Sequence, residues 1–256
     1  MPFVGALELM AETVKALRFP GEIVAMRDIR MLQGMVLTNG ALPIEVQAKA
    51  IVGSSEVEVQ VGLVDSKRPR SYRGIVEHGS ALKASPRAAA RRLASPAPMS
   101  VGAIYNRWLF HGPVFQTITK ILGLDHSGLV ARIHSTAPRA FYPPAGAAPW
   151  IFDIGLMDAA LQLVSIWSRA VRNTTALPGS LRRIERFGDK PMPDELIVDI
   201  EILSSVDDPS IRCRFAIMSE PGDIRILVED LEGGTSRELN RLGGGWAGGI
   251  IGEPNS

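Results

Sequence analysis

The chain has almost no cysteine, because Cys213 is the only one among its 256 residues. A single thiol excludes a disulfide within the chain and lacks the spacing of a cysteine zinc site. Cys213 lies in the run Ile211-Arg-Cys-Arg-Phe-Ala-Ile217, where apolar and charged residues alternate as in a strand. The pattern predicts a buried strand thiol rather than a nucleophile, and no metal site is predicted.

The chain also lacks an excess of charge of one sign, since 28 lysine and arginine residues face 27 aspartate and glutamate residues. Such a balance gives no overall field that would attract nucleic acid or an anionic membrane, so we expect neither as a partner. Three arginines cluster at Arg87, Arg91 and Arg92, but alanine, serine and proline surround them. This composition is typical of a linker, and a basic binding surface is the weaker alternative.

Long apolar runs are missing too. No stretch of the sequence approaches the roughly 18 apolar residues that a membrane span needs. The N-terminus lacks a basic stretch followed by an apolar signal core. We therefore expect no membrane association and a cytoplasmic location.

What the sequence does contain is an ordinary globular composition, with 46% apolar and 21% charged residues. At this length we expect one large domain or two fused modules with a buried core. Apolar residues recur at helical spacing over residues 5–17, and Phe19-Pro20-Gly21 is predicted to stop this helix. Strand-like runs follow at residues 22–32, 43–52, 56–64 and 72–76, with turn residues at 38–40 and 52–55.

The order of elements repeats after a segment rich in alanine, serine and proline. The later elements are a short helix from Val101, a long helix at 152–171, and strands at 129–134, 180–187, 195–203, 210–218 and 223–231. A helix followed by antiparallel strands thus occurs twice, which predicts two similar halves, each with a sheet packed on a long helix. The predicted divisions are a first half at 1–79, a linker at 80–100, a second half at 101–235 and a flexible glycine-rich tail at 236–256.

The second long helix has a narrow polar stripe, formed by Asp158, Gln162, Ser165 and Arg169. Its other faces are apolar, so the periodicity alone favours a solvated stripe opposite the core. Gln162 lies four residues after Asp158 and is therefore within reach of its carboxyl group. Asp153 lies near the start of the helix, where a carboxylate satisfies free N–H groups and opposes the positive end of the dipole, so we interpret it as a capping residue rather than a catalytic group.

The most specific patterns are Phe110-His111-Gly112-Pro113-Val114-Phe115 and Asp158-Ala-Ala-Leu-Gln162. The first resembles the YGPxF motif of polyketide synthase dehydratases, with histidine in place of tyrosine, and the second matches their DxxxQ motif. Leu177-Pro178 is similar to a dipeptide that precedes a strand at the substrate tunnel of that family. The resemblance implies an α+β double hotdog fold, in which two long helices are each wrapped by a curved antiparallel sheet.

The resemblance also implies roles for these residues. Asp158 would be the general acid toward the departing β-hydroxyl group of the substrate, and Gln162 would position it. A carboxyl that donates a proton near neutral pH needs a raised pKa, which burial beside an acyl tunnel would supply. The residues implied to border the substrate are Gly112, Pro113, Phe115, Leu177 and Pro178.

The catalytic base of the family is a histidine in an HxxxGxxxxP motif, and Pro2 matches the last position of that motif. The base would therefore lie upstream of this sequence or in a partner polypeptide, or it would be absent from a degenerate dehydratase. The other three histidines have plainer interpretations: His78 as a residue at the end of a sheet, His126 as a turn residue and His134 as a strand residue. His111 adjoins a site motif and is the one replacement base that we consider.

The implied activity is that of a lyase, which dehydrates a 3-hydroxyacyl group on the phosphopantetheine of an acyl carrier protein to an α,β-enoyl thioester. No cofactor is expected, because this chemistry needs an acid, a base and a polarised thioester carbonyl. The expected partners are the carrier protein, other polyketide synthase modules, and a second copy or another chain that supplies the missing strands. The alternatives are an inactive acyl-binding scaffold and a half-site completed by a partner chain.

Overall fold

A computed structural model describes residues 1–35, 41–64, 70–141 and 149–244 of the chain. The helices of this part are α1 Phe3–Ala16, α2 Val101–Arg107, α3 Pro138–Phe141 and α4 Ile154–Arg172. Its strands are β1 Glu22–Met31, β2 Ile44–Ala50, β3 Glu56–Leu63, β4 Tyr72–Gly79, β5 Ile118–Asp125, β6 Gly128–His134, β7 Thr175–Arg186, β8 Glu195–Ile202, β9 Ser210–Ser219 and β10 Asp223–Ser236. The turn predicted at 38–40 and the glycine-rich stretch from 245 onward lie outside the described residues.

The described strands form one antiparallel sheet in the order β2-β3-β4-β1-β7-β10-β9-β8-β6-β5. Each half has a long helix followed by four strands, and in each half the first of these strands pairs with the fourth. The two first strands, β1 and β7, pair with each other, with Ala25 opposite Glu185 and Ile29 opposite Leu181. The predicted duplication is therefore confirmed, and the fold is an α+β double hotdog whose sheet is continuous across its centre.

The core lies between this sheet and the two long helices, which contact each other. Helix α1 begins two residues earlier than predicted and buries Leu7, Met10 and Val14. The chain then turns at Gly21, where φ is +89° and a Cβ would clash with the carbonyl oxygen of Gly79. The predicted stop after the first helix is confirmed, and this turn places β1 beside β4.

Helix α4 is the predicted second long helix, shifted by two residues at its start and by one at its end. Its largest apolar side chains, including Leu163 and Trp167, are fully buried. By length and composition α4 is apolar enough to cross a membrane, contrary to our expectation that no segment reaches that size. However, 78% of its apolar window is buried within the fold, where the sheet of the second half covers it.

Two strands of the second half depart from the prediction because their pairing is irregular. Strand β5 has two register shifts against β6, so the strict alternation that marks a strand in sequence is lost. Strand β7 starts five residues earlier than predicted and includes Pro178, which usually ends a strand. Pro178 is tolerated because β10 shifts register between Glu232 and Gly233, and the described pairing with β1 begins only at Ser180.

The segment at 80–100 has no named helix or strand, but it is attached to the second half by isolated bridges. Arg91 Nε donates to Asp199 Oδ1 at 2.8 Å, and Arg87 Nε donates to Asp223 Oδ1 at 2.7 Å. These two arginines are therefore engaged in ion pairs within the fold, which supports the linker interpretation over a basic binding surface.

The prediction of a flexible tail is wrong at the start of that segment. Strand β10 continues to Ser236, and a 3₁₀ helix follows at Glu238–Leu242. The side chain of Asn240 accepts from the Thr175 hydroxyl at 2.9 Å and donates to the Asn173 carbonyl at 2.9 Å. These bonds hold the segment against the end of α4, which composition alone does not reveal.

Asp153 caps α4, as its position predicts. Its Oδ1 accepts the N–H groups of Gly155 and Leu156 at 2.9 and 3.1 Å. Its Oδ2 accepts the N–H group of Thr136 at 2.8 Å, and the Thr136 hydroxyl donates to Oδ1 at 2.6 Å. One carboxylate therefore fixes the start of α4 to the segment that follows β6.

Replacing Asp153 with alanine should lower the free energy of unfolding by about 2 kcal/mol, because buried donors lose their acceptor. Urea unfolding followed by circular dichroism measures this change. Ser100→Ala is the matched control, since Ser100 caps the short α2 through one exposed bond of 3.3 Å from Ala103. We expect the control to lose about 0.5 kcal/mol. Equal losses in the two variants would show that the additional buried bonds of Asp153 contribute no more stability than an exposed cap does.

Candidate active site

The polar stripe of α4 is buried at Asp158, Gln162 and Ser165 and half-buried at Arg169, not solvated as its periodicity favoured. Asp158 is 6% exposed and Gln162 is 1% exposed. The segment after α2 covers the stripe: the Trp108 ring centroid lies 5.8 Å from the guanidinium carbon of Arg169, and a 3₁₀ helix at Pro113–Phe115 contacts α4. Helical periodicity cannot reveal this cover, because it comes from a distant part of the chain.

Gln162 holds the carboxyl group of Asp158 in one orientation. Its Nε2 donates to Asp158 Oδ2 at 2.6 Å and to the carbonyl oxygen of Phe115 at 2.9 Å. A carbonyl can only accept, so Phe115 requires the amide nitrogen, rather than the amide oxygen, to point this way. The contact expected from the spacing is therefore present, and the 3₁₀ helix that begins at Pro113 supplies a second anchor for it.

His111 is the histidine that the fold brings to Asp158, with Nε2 3.4 Å from Oδ2. Its ring stacks on Phe110 at 4.4 Å between centroids and meets the edge of Phe115 at 6.4 Å. The side-chain amide of Gln116 donates to the His111 carbonyl at 3.0 Å. Both the backbone and the ring of His111 are therefore held in place beside the carboxyl group.

Burial sets the protonation state of this pair. Removal from water raises the pKa of Asp158 to about 6, although the hydrogen bond from Gln162 opposes the rise. The same effect lowers the pKa of His111 to about 4. Because the carboxyl group has the higher pKa, a single shared proton resides on Asp158 and leaves the imidazole neutral. Between about pH 4 and pH 6 the pair is thus a protonated acid beside a neutral base.

Tyr105 adjoins the pair, although no sequence pattern assigns it to the site. Its hydroxyl accepts the N–H group of Ile118 at 3.1 Å, which joins α2 to β5. Burial and the nearby charge of Asp158 both raise the pKa of Tyr105, so the phenol stays neutral. Helix α2 is too short for its periodicity to predict which face is buried.

A row of aromatic rings extends from the 3₁₀ helix. Ring centroids are 4.8 Å apart for Phe115 and Phe141, and 5.9 Å apart for Phe141 and Trp150. Pro113 opens the 3₁₀ helix, and Gly112 before it has a φ of −68°, which any residue adopts. The backbone here does not require glycine, and the substrate contacts implied for Gly112, Pro113 and Phe115 stay predictions.

Leu177 and Pro178 lie on a different flank of α4. They line a cavity of about 10 Å³ together with Leu161 and Val164, which is room for about one water molecule. A larger groove of about 370 Å³ lies at the end of β1 and the start of β9, beside Gly179 and Ser180 in the middle of β7 and Glu232 in the last part of β10. Neither of these two spaces borders Asp158, so they do not connect the dipeptide to the acid. The implied role of Leu177 and Pro178 at the substrate stays a prediction.

The remaining histidines and the cysteine lie within the sheet and its turns. His78 is in β4, His126 is in the turn between β5 and β6, and His134 ends β6. Within the described residues, His111 is the histidine in contact with Asp158. Cys213 is fully buried in β9, and burial raises the pKa of its thiol to about 12, which confirms a strand thiol.

Several solved structures of dehydratase domains are similar to this fold. The domain of the CurF module of Curacin polyketide synthase has a TM-score of 0.72 and 14% identity, with 92% of this chain and 84% of that one covered. The domain of RzxB from Pseudomonas fluorescens has a TM-score of 0.66 and 15% identity, with 86% and 80% covered. That of PpsC from Mycobacterium tuberculosis, in complex with C12:1-CoA, has a TM-score of 0.68 and 15% identity, with 92% and 85% covered. At these identities the likeness shows the fold alone.

Sequence similarity gives the family. The family model for the polyketide synthase dehydratase N-terminal domain matches residues 81–242, which is more than half of the chain. The chain therefore belongs to the polyketide synthase dehydratase family. It is also 29% identical over 244 residues to one subunit of the polyunsaturated fatty acid synthase of a Thraustochytrium species. That match covers 90% of this chain but only 8% of the relative.

Proposed function

We propose that this chain is a dehydratase-type domain that removes water from a β-hydroxyacyl thioester carried by an acyl carrier protein. The observation that supports it best is the buried carboxyl group of Asp158, held by Gln162 and facing the neutral imidazole of His111. Elimination of water needs an acid at the β-oxygen and a base at the α-carbon. The Asp158 carboxyl group and the His111 imidazole lie next to each other. The α-carbon and the β-carbon of the substrate, on which they would act, are likewise neighbours.

In the proposed step, His111 Nε2 takes the proton from the α-carbon of the substrate. The electrons of that C–H bond form the double bond, and the bond between the β-carbon and its hydroxyl oxygen breaks. Asp158 donates its proton to the departing hydroxyl, which leaves as water. The proton on His111 then returns to Asp158 across the 3.4 Å contact, so both groups regain their starting states. A base and an acid this close together fit a syn elimination.

The proposed partner is a carrier protein that presents the acyl group on phosphopantetheine, within a larger synthase. The relative PpsC was solved with an acyl-CoA, which is also a thioester, and the Thraustochytrium relative is part of a fatty acid synthase. No cofactor is needed, since the acid and the base account for every proton that moves. A second copy of the chain as a partner, and a cytoplasmic location, remain part of this proposal.

The rate of water loss should follow a bell-shaped pH profile with its maximum near pH 5. His111 must be neutral to accept a proton, which requires a pH above its pKa of about 4. Asp158 must be protonated to donate one, which requires a pH below its pKa of about 6. Above that pKa we expect kcat/KM, which reports the pKa values of the free protein, to fall about tenfold per pH unit. A rate that rises steadily from pH 5 to pH 8 would contradict this assignment of acid and base.

The direct test is incubation with a 3-hydroxyacyl carrier protein, followed by mass spectrometry of the acyl group. Loss of one water and formation of the enoyl thioester is the expected result. The reverse reaction, hydration of an enoyl carrier, should approach the same equilibrium mixture. A chain that leaves both substrates unchanged between about pH 4 and pH 6, the range set by the two pKa values, is not a dehydratase by itself.

The second candidate is an acyl-binding module without turnover. It is favoured by one observation: neither cavity described above borders Asp158, whose side chain is 9% exposed. Such a module would bind the acyl carrier with an affinity that does not change in an Asp158→Asn protein, and it would release no water. A loss of water that depends on Asp158 excludes this candidate.

A further inference from the structure

Each of the two long helices carries one buried acidic side chain in its second turn. Asp158 on α4 faces His111, whereas Glu8 on α1 is 3% exposed and faces the backbone of the other half. Oε1 of Glu8 accepts the N–H group of Ile151 at 2.7 Å, and Oε2 accepts the N–H group of Phe152 at 2.6 Å. Glu8 is thus bonded to the two residues that come immediately before the N-cap of α4.

The surroundings of Glu8 make its charge sensitive to pH near neutrality. Removal from water raises its pKa to about 7, the two backbone donors and Arg186 oppose the rise, and Glu12 adds to it. Arg186 comes from β7, with its guanidinium carbon 5.8 Å from the ring centroid of Phe152 and Nη1 donating to the Ile23 carbonyl at 2.8 Å. A carboxylate accepts two N–H bonds better than a neutral acid does, so the contact strengthens as Glu8 ionises.

We propose that Glu8 is a positioning residue, which holds the start of α4 against the first half of the fold and thereby sets where Asp158 lies. The role of Asp158 as an acid rests on the proposed function, whereas the contact made by Glu8 does not. Through this contact α1 acts on the site although it supplies no atom to the acid–base pair.

The mechanical link between Glu8 and Asp158 is short. Phe152 is fully buried, and the next residue is Asp153, whose carboxylate holds the N–H groups at the start of α4. A helix with intact backbone bonds moves as a unit, so a shift at Phe152 reaches Asp158 less than two turns further on. The distance that would change first is the 3.4 Å between Asp158 and His111.

Glu8→Gln is the informative variant, because it keeps the size of the side chain but replaces one acceptor oxygen with an NH₂ group that faces a backbone N–H. Glu12→Gln is the matched control, since Glu12 is exposed on the same helix. At pH 8, where Glu8 is mostly ionised with or without the charge of Glu12, hydrogen exchange of the Ile151 and Phe152 amides, followed by NMR, should be about five to ten times faster in Glu8→Gln and unchanged in the control. The pKa of Asp158, followed by the chemical shift of its carboxyl carbon, should also change in Glu8→Gln and not in the control. A general loosening of the fold would not change the pKa of this one residue selectively.

Unchanged exchange at both amides in Glu8→Gln would overturn the proposal. Failure of the proposed function has a different signature, namely no water loss from a 3-hydroxyacyl carrier while exchange and titration behave as described. If Glu8→Gln does not fold, the parent protein decides: the amide signals of Ile151 and Phe152 should shift with a midpoint near pH 7, the pKa of Glu8. A flat response of both signals through that range would equally reject the role of Glu8.

Discussion

Replacing Asp158 with asparagine is expected to slow dehydration by about 10² to 10⁴-fold while making the fold more stable at neutral pH. Asparagine keeps the shape of the side chain and its oxygen can still accept from Gln162. It has no acidic proton for the departing hydroxyl, so the chemical step suffers while substrate binding does not. The loss should therefore appear in kcat for a 3-hydroxyacyl carrier, with KM nearly unchanged.

The gain in stability has the same physical origin as the raised pKa of Asp158, namely the burial of its carboxyl group. The pKa of Asp158 is raised from 3.8 to about 6, so the carboxyl is protonated in both the folded and unfolded states below about pH 4 and ionised in both above pH 6. Ionisation is penalised only in the folded state, by up to about 3 kcal/mol at neutral pH. Asparagine avoids this penalty, so its advantage over the parent should be absent near pH 4 and nearly complete near pH 7.

Urea unfolding at these two pH values measures the effect, with Asp189→Asn as a control for the same chemical change at an exposed position. The control should alter neither stability nor turnover. An Asp158→Asn protein as active as the parent would remove Asp158 from the role of acid. A variant that is inactive and also less stable at neutral pH would instead mean that the ionised carboxyl is structurally required.

The largest loss of stability is expected for Trp167→Ala, about 3–5 kcal/mol. The Trp167 side chain is fully buried, and its Nε1 donates to the carbonyl of Asp125 at the end of β5 at 2.7 Å. The guanidinium carbon of Arg172 lies 5.2 Å from the centroid of its ring. Alanine would leave a cavity, an unpaired carbonyl and an arginine without its aromatic partner. Because domains of this kind are typically stable by only 5–15 kcal/mol, we expect a marginal fold.

Two further variants separate these contributions. Trp167→Phe keeps most of the volume but loses the N–H donor, so we expect about 1–3 kcal/mol. Val52→Ala, at a position that is 99% exposed, should change the unfolding free energy by less than about 0.5 kcal/mol. Far-ultraviolet circular dichroism is the suitable probe, since tryptophan fluorescence changes with the substitution itself. Equal losses for the alanine and phenylalanine variants would mean that packing around Trp167 contributes little.

The sequence predicts α4 and most strands well, because their apolar residues recur with the regular periods of a helix or a strand. It misses β5, whose register shifts disturb the alternation, and it delays β7, because Pro178 looks like a break. These errors share one cause. Irregular pairing is fixed by the neighbouring strand, which a single sequence does not show.

The candidate site shows the same limit. Periodicity assigned Asp158 and Gln162 to a solvated stripe, and only the motif resemblance pointed to burial, because residues 108–116 cover the stripe after folding. Glu8 stands with Glu12 among the polar residues between the apolar positions of α1, yet it is buried. Its partners are backbone N–H groups far along the chain, and backbone groups leave no trace in a residue pattern.

The pairing of β1 with β7 bears on how this fold can be divided or recombined. The two strands meet at the centre of the sheet, so a cut between the halves would leave each with a bare row of N–H and carbonyl groups. Exposed edges of this kind invite pairing with other chains and aggregation. Chimaeras made by exchanging halves between homologous domains should therefore carry β1 and β7 from the same parent, because the pairing of these two strands joins the two halves of the sheet.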